Sequence, residues 1–334
     1  MLTPEEFAAL SQRNEVPVTK ISALEGGPNL GSKPRKKTMS FSKVIKSLLG
    51  EKNRQMISKV LRRDRRSPPA HVSNIFGFDL YQNNLDIINY AKWSGKNIVD
   101  IKDDPDGRVI KLINESVKDG DIVLDIGANI GLMTLVLGKK VGKFGKVYSF
   151  EPGPISHSLL ARNVYANIDK TGEIVFFKQA MTDVDGPVEL FINRSGESDN
   201  QVHRGVDEYI YINEKSRKKV IVDGITLDSF AATFQSLKVR FIKMDTQGHE
   251  YYIFLGGKKF LKSAREIIIH VEYAPYLKAW ENFSQDDFYD LIKELDFEIF
   301  DTSNMQYGKV DNKYLKNNYG FDFVGKYTDL LLVK

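Results

Sequence analysis

The stretch Asp121–Gly131, read D-I-V-L-D-I-G-A-N-I-G, constrains the fold more than any other part of this 334-residue chain. Ile122 to Ile126 is an apolar run interrupted only by Asp125, and Gly127, Ala128, Asn129 and Gly131 follow it. Leu132–Lys140 then has helical character. A buried parallel strand that ends on a carboxylate and turns through small residues into a helix forms a crevice for a nucleotide-type ligand. Glycines let the backbone approach such a ligand, and the N–H groups at the helix start favour a negative group beside them.

Spacing narrows the ligand. A dinucleotide site has G-x-G-x-x-G with its acid about 20 residues further on. Here the pattern is D-x-G-x-x-x-G, with an acid already at the strand end. A second strand-like run, Gly145–Phe150, ends in Glu151-Pro152. An acid at that place can accept both hydroxyls of a ribose. Asp125 can receive an ammonium, which a dinucleotide lacks. S-adenosylmethionine (SAM), a ribose joined to an amino acid, suits the pair better than NAD does. Expected cofactor contacts are therefore Asp125, Gly127, Ala128, Asn129, Gly131, Glu151 and Pro152.

Further along, β and α signals alternate. Strands are expected at Ile122–Asp125, Lys146–Phe150, Ile174–Gln179, Val188–Ile192, Arg240–Met244, Ile267–Glu272, Glu298–Phe300 and Leu330–Val333. Helices are expected at Leu132–Lys140, Ile155–Ala166, Leu227–Phe234, His249–Leu261 and Asp286–Leu295, the last opened by a capping box at Ser284 and Asp287. Short strands at Asn74–Gln82 and Ile98–Ile101 and a helix near Arg108–Val117 precede them. This rhythm is that of an α/β, Rossmann-like fold: a mostly parallel central sheet with helices on both faces. Ligands in such sheets sit outside the carboxyl ends of the strands, where all these motifs fall. Polar, charged residues 193–219 break the rhythm and are expected to form a long loop, either a substrate lid or a plain insertion.

The N-terminal part differs in composition. Between Gly31 and Arg66 stand 13 Lys and Arg against Glu51 and Asp64, a local balance of +11 in a chain whose net charge is +4. Residues 1–72 are expected to be a basic, partly helical extension with a linker, and 73–334 the catalytic domain. A helix start is expected at Thr3-Pro4-Glu5-Glu6, and helical spacing runs through Phe41–Leu61. The basic segment reads first as a solvated face, then as a weak anionic-surface contact through residues 31–66, and last as a nucleic-acid contact. No run of about 18 apolar residues is present, so no spanning helix is expected. The first residues carry Glu5 and Glu6 and no apolar core, unlike a signal peptide. The absence of cysteine removes disulfides, thiolate metal sites and a cysteine nucleophile, and fits a cytoplasmic setting.

V-L-D-I-G-A-N-I-G-L at 123–132, Y-S-F-E-P at 148–152, T-L-D-S-F at 226–230 and I-K-M-D-T-Q-G-H-E at 242–250 together resemble the FkbM family of SAM-dependent methyltransferases. The resemblance runs from about Asn74 to the C-terminus. It implies a class I methyltransferase fold and methylation of a hydroxyl on a sugar, glycan or natural product. In that frame Met181 and Asp183 follow the third strand, where the adenine would lie. Ser195 and His203, in the polar segment, and Glu272, at the end of Ile267–Glu272, would face the acceptor.

Methyl transfer to oxygen is an in-line displacement in which positioning supplies much of the catalysis. A hydroxyl acceptor must also lose its proton, so a base beside it helps. Asp245 and His249 are the candidates: Asp245 to position the cofactor or acceptor, and His249 as base, because imidazole titrates near neutral pH. Asp245, Glu250 and Glu272 could bring three oxygen ligands to a divalent cation, but acids on three separate elements are a weak pattern and no metal is assigned. His270, inside an apolar strand, reads as a satisfied core histidine. Trp93 and Trp280 read as packing residues.

Three other functions compete. A nucleic-acid methyltransferase could use the basic arm on phosphates. It is disfavoured because no Pro-Pro-aromatic motif follows Asp245 and no cysteine is available for attack at cytosine C5. The glycine spacing disfavours an NAD-dependent oxidoreductase. The intact Asp125/Glu151 pair disfavours a noncatalytic SAM-fold module.

Overall fold

A computed structural model describes residues 71–82, 94, 96, 101, 104–192, 200–202, 218–234, 236–276, 283–303, 308–320, 323 and 325–334. The expectations for the basic N-terminal extension, for residues 98–100, for Trp93 and Trp280, and for Ser195 and His203 lie outside these residues.

Among the described residues, seven strands form the central sheet: β3 (Ile122–Ile126), β4 (Lys146–Phe150), β5 (Glu173–Phe177), β10 (Val239–Met244), β11 (Ile268–Tyr273), β12 (Glu298–Asp301) and β13 (Thr328–Val333). Their order is β12-β13-β11-β10-β3-β4-β5. Pairing is parallel from β11 to β5, while β13 runs antiparallel between β11 and β12. Strand order reverses between β3 and β10, the switch point at which open α/β sheets bind ligands.

Alternation along the strands explains the two-faced core. Val123, Val147 and Phe241 pack with α1 (Pro105–Ser116), α2 (Leu132–Val141) and α3 (Pro154–Ala166). Leu124, Tyr148 and Ile242 face the other way. They pack with α4 (Leu227–Ala232), α5 (Glu250–Gly256), α6 (Lys258–Ser263), α7 (Gln285–Glu294) and α8 (Asn312–Tyr319). Both sheet faces are thus covered by helices. No described helix is long and apolar enough to cross a membrane.

Several local expectations need correction. Asn74–Gln82 is not one strand but the end of a hairpin, β1 (His71–Ile75) and β2 (Phe78–Gln82), which turns at Phe76 and Gly77 with positive φ. The apolar run Ile174–Gln179 breaks at Lys178, because β6 (Gln179–Thr182) leaves the central sheet to pair with β9 (Lys218–Thr226). With β7 (Gly186–Ile192) and β8 (Gln201–Val202) these strands form a second sheet, β6-β9-β7-β8, that the sequence reading lacked. The helix expected over His249–Leu261 is two helices, parted at Gly256-Gly257. Gly256 lies so close to the Thr182 carbonyl that a Cβ there would overlap it. The capping box at Ser284 and Asp287 is present in full.

Candidate active site

Three left-handed residues build the turn between β3 and α2: Gly127 (φ 78°), Asn129 (φ 50°) and Gly131 (φ 93°). Any Cβ on Gly127 would overlap the backbone oxygen of Asp245, so only glycine lets the β3 and β10 loops meet. The amides of Gly127 and Ala128 both donate to the Phe150 carbonyl, at 3.0 Å each. Glu151 then ties the two βα loops together: Oε2 accepts from the Asn129 amide at 2.8 Å and Oε1 from the Gly153 amide at 2.7 Å. Its side chain is nearly buried, yet it lines a cleft of about 260 Å³ at the carboxyl ends of the strands. Gly127, Ala128, Asn129 and Pro152 line the same cleft, as do Met181, Leu190 and Val202 of the second sheet. Asn129 Oδ1 is buried there with no hydrogen-bond partner within the protein.

Asp125 is placed differently from the expectation. It is fully buried and does not line the cleft. A polar row crosses the sheet, because Ser149, Asp125, Lys243 and His270 stand side by side on β4, β3, β10 and β11, and its Lys243 and His270 reach the cleft. Asp125 Oδ2 accepts from the Thr134 hydroxyl at 2.5 Å, and Oδ1 lies 3.9 Å from Lys243 Nζ. Burial pushes its carboxyl above the usual carboxylate range, against the pull of Lys243 and Thr134. Here the carboxyl is held by Thr134 and Lys243 beside the loop it precedes. Gly131 and Asp183 also lie off the cleft wall: Gly131 precedes α2, and Asp183 receives the Thr182 hydroxyl beside a turn whose Asp185 holds Thr226 and Ser229.

The lining contributed by β10, β11, β13 and the loop after β10 is strongly polar. Lys243 donates to the Gly127 carbonyl at 3.2 Å and pairs with Asp245 Oδ2 at 3.2 Å. Burial pulls its ammonium down, but Asp245 and Asp125 outweigh that and hold it above its ordinary value. Asp245 opens onto the cleft, its side chain 40% exposed. Burial raises its carboxyl, and the Lys243 charge and the Gln247 hydrogen bond reverse the effect, keeping it ionised. Gln247 (φ 57°) bridges Asp245 Oδ1, at 2.9 Å, to Glu272 Oε2, at 3.2 Å. Glu272 faces Asp329 directly across the antiparallel β11–β13 pair. Burial, then the Asp245 charge, raises both: Glu272 well above its ordinary range and Asp329 to about 7.

His270 is not the satisfied core residue expected. It is buried but lines the cleft, its Nδ1 has no hydrogen-bond partner, and its Nε2 lies 3.7 Å from Asp329 Oδ2. Burial and the Lys243 charge push it down to about 3, so the ring is neutral at physiological pH. His249 lines the cleft too, but Nε2 is engaged by the Thr182 hydroxyl at 3.0 Å and the ring stacks on Tyr252. That arrangement locks the imidazole against the second sheet. Glu250 is likewise committed, since Oε1 accepts from the Thr246 amide and hydroxyl and from the Gly248 amide. Sequence reasoning missed Lys243, Gln247, His270 as a cleft residue, and Asp329. The readable signal was a polar residue inside an otherwise apolar strand, as at Lys243, His270 and Asp329.

The methyltransferase FkbM domain profile matches residues 125–299, just over half of the chain. The hexuronic acid methyltransferase AglP of Haloferax volcanii is 22% identical over 163 residues, 49% of this chain and 61% of that protein. The chain thus spans about three fifths of that curated relative's length. Among solved structures, an FkbM methyltransferase of Methylobacillus flagellatus is similar at a TM-score of 0.37 and 14% identity, covering 84% of this chain and 59% of that one. An rRNA methylase of Streptococcus thermophilus is similar at 0.39 and 10%, covering 69% of this chain and 96% of that one. The sheet order and the glycine turn locked to Glu151 agree with the domain match: this chain belongs to the methyltransferase FkbM family.

Proposed function

We propose that the chain is a SAM-dependent O-methyltransferase acting on a hydroxyl of a sugar, glycan or other hydroxylated metabolite, with residues 73–334 as the methyltransferase domain. One observation carries the reading: Glu151 stands at the cleft wall, its two oxygens fixed by the amides of Asn129 and Gly153, beside a turn that admits no side chain at Gly127. A carboxylate is an acceptor with several lone-pair sites, the kind of group that takes ribose hydroxyls. The orphaned Asn129 Oδ1 offers an acceptor at the same wall. Similarity to a hexuronic acid methyltransferase supports an acceptor of the sugar class.

Bound SAM would supply a methyl carbon already activated on sulfur, which the acceptor oxygen would take in line while the C–S electrons leave with S-adenosylhomocysteine. The chain's own part is to hold the two partners and to take up the hydroxyl proton. Asp245, ionised and open to the cleft, is the positioning group in its polar lining. Asp329, raised to about 7, is better matched to accept a proton near neutral pH than His249, whose Nε2 is already bonded to Thr182.

Calorimetric titration with SAM, S-adenosylhomocysteine and NAD in parallel tests the donor. Binding of the first two alone is expected, and Glu151→Ala should weaken it about tenfold, the loss of one or two net hydrogen bonds. Binding of NAD alone, or unchanged affinity in the variant, would reject the assignment.

A further inference from the structure

Among the described residues the β1–β2 hairpin is a ribbon of two strands, and such a ribbon needs a neighbour to be stable. Among the described residues, the neighbour of β2 on its far edge is helix α3. Asn163 Oδ1 accepts from the Tyr81 amide at 2.6 Å, and its Nδ2 donates to the Tyr81 carbonyl at 3.1 Å. One helical turn on, Asn167 repeats the pattern with the amide and carbonyl of Asp79, at 2.9 Å each. Four residues of helix rise about 6 Å and two residues of strand about 6.7 Å, so the repeats match. Two asparagine amides therefore complete the edge of β2 as a strand would.

Asn163 does one thing more. Its Nδ2 also donates to the Ile130 carbonyl at 2.7 Å, in the middle of the left-handed turn between Asn129 and Gly131. The Asn129 amide at the other side of that peptide pair is held by Glu151. Asn163 is fully buried, so water cannot replace it. We propose that Asn163 is a positioning residue: it fixes the Gly127–Gly131 turn and couples it to the hairpin, so that docking of the hairpin and occupancy of the turn stabilise each other. The coupling to ligand rests on the turn being the methyl-donor site. By linkage it acts equally in both directions.

The full-length protein is compared with Asn163→Ala and Asn167→Ala, which damage the hairpin edge alike but differ at Ile130. In ligand-free protein, amide exchange at Asn129 and Gly131 should quicken in the first variant and stay as in wild type in the second. S-adenosylhomocysteine should bind about tenfold more weakly to N163A and nearly normally to N167A. In wild type, which needs no variant to fold, the ligand should slow exchange of the Tyr81 amide. Equal exchange at Asn129 and Gly131 in N163A and wild type would overturn the proposal. So would equal losses of affinity in both variants, the outcome of a merely structural role, or a Tyr81 amide indifferent to ligand that binds. A wild type that does not bind S-adenosylhomocysteine would instead sink the donor assignment, leaving the ligand-free exchange to decide the role of Asn163.

Discussion

Replacing Lys243 by methionine tests the electrostatics at the cleft. The Lys243 side chain is 9% exposed and lies 3.9 Å from Asp125 and 3.2 Å from Asp245. At an effective dielectric of about 20, each pair is worth roughly 4–5 kcal/mol before desolvation. The Asp245 pair is discounted, since that carboxylate is 40% exposed and water screens it. Asp125 has no such relief, being fully buried with only Thr134 as a hydrogen-bond donor. Lys243→Met leaves it uncompensated, and losing one partner of a buried pair costs about 3–5 kcal/mol. Equilibrium urea unfolding near neutral pH should show that loss. Asp125→Asn in the same background should restore part of it, with a coupling of about 2 kcal/mol between the sites. Lowering the pH should shrink the penalty, because the carboxyl of Asp125, already raised, rises further without Lys243 and then neutralises itself. A loss below about 1 kcal/mol, or strict additivity of the two substitutions, would show that the pair does not hold the loop.

Two further tests address the cleft itself. Gly127→Ala should abolish binding of S-adenosylhomocysteine and lower the Tm, since its Cβ would overlap the Asp245 carbonyl at a φ of 78° that alone costs about 1–3 kcal/mol; unchanged affinity would contradict the close approach of the two loops. Asp329, raised to about 7 in the folded state against an ordinary value near 4 when unfolded, binds its proton more tightly in the native protein. Its contribution to stability is therefore fully present below about pH 4 and lost as pH rises through about 7. Asp329→Asn should flatten the fall in urea midpoint between pH 5 and 8, leaving the part due to Glu272, which is also raised. A pH dependence identical to wild type would place Asp329 in an ordinary, solvated state.

Legibility followed the range of the interactions. The turn after β3 could be read because its chemistry is local: an apolar run, an acid and glycines in one short stretch. Glu151 could be read because a strand end and a Pro-Gly helix start flank it. β9 was missed although Val220 and Val222 alternate with exposed residues, because the polar run before it masked a period of only a few residues. The approach of Lys243 to Asp125 is not legible in the sequence, because nothing in the neighbours of a strand-end carboxylate names the side chain opposite it on the next strand.

The sequence by itself determined that the chain folds as an α/β sheet with a glycine turn at its carboxyl edge, since strand periodicity, capping and positive φ are properties of short segments. Only the tertiary structure decided which polar groups share the cleft. Lys243, His270 and Asp329 belong to three strands that are far apart in sequence, and their proximity follows from strand order and register. Their charge states were equally out of reach, because burial and neighbouring charges, not residue type, keep Asp245 ionised, hold His270 neutral and lift Asp329 toward neutrality.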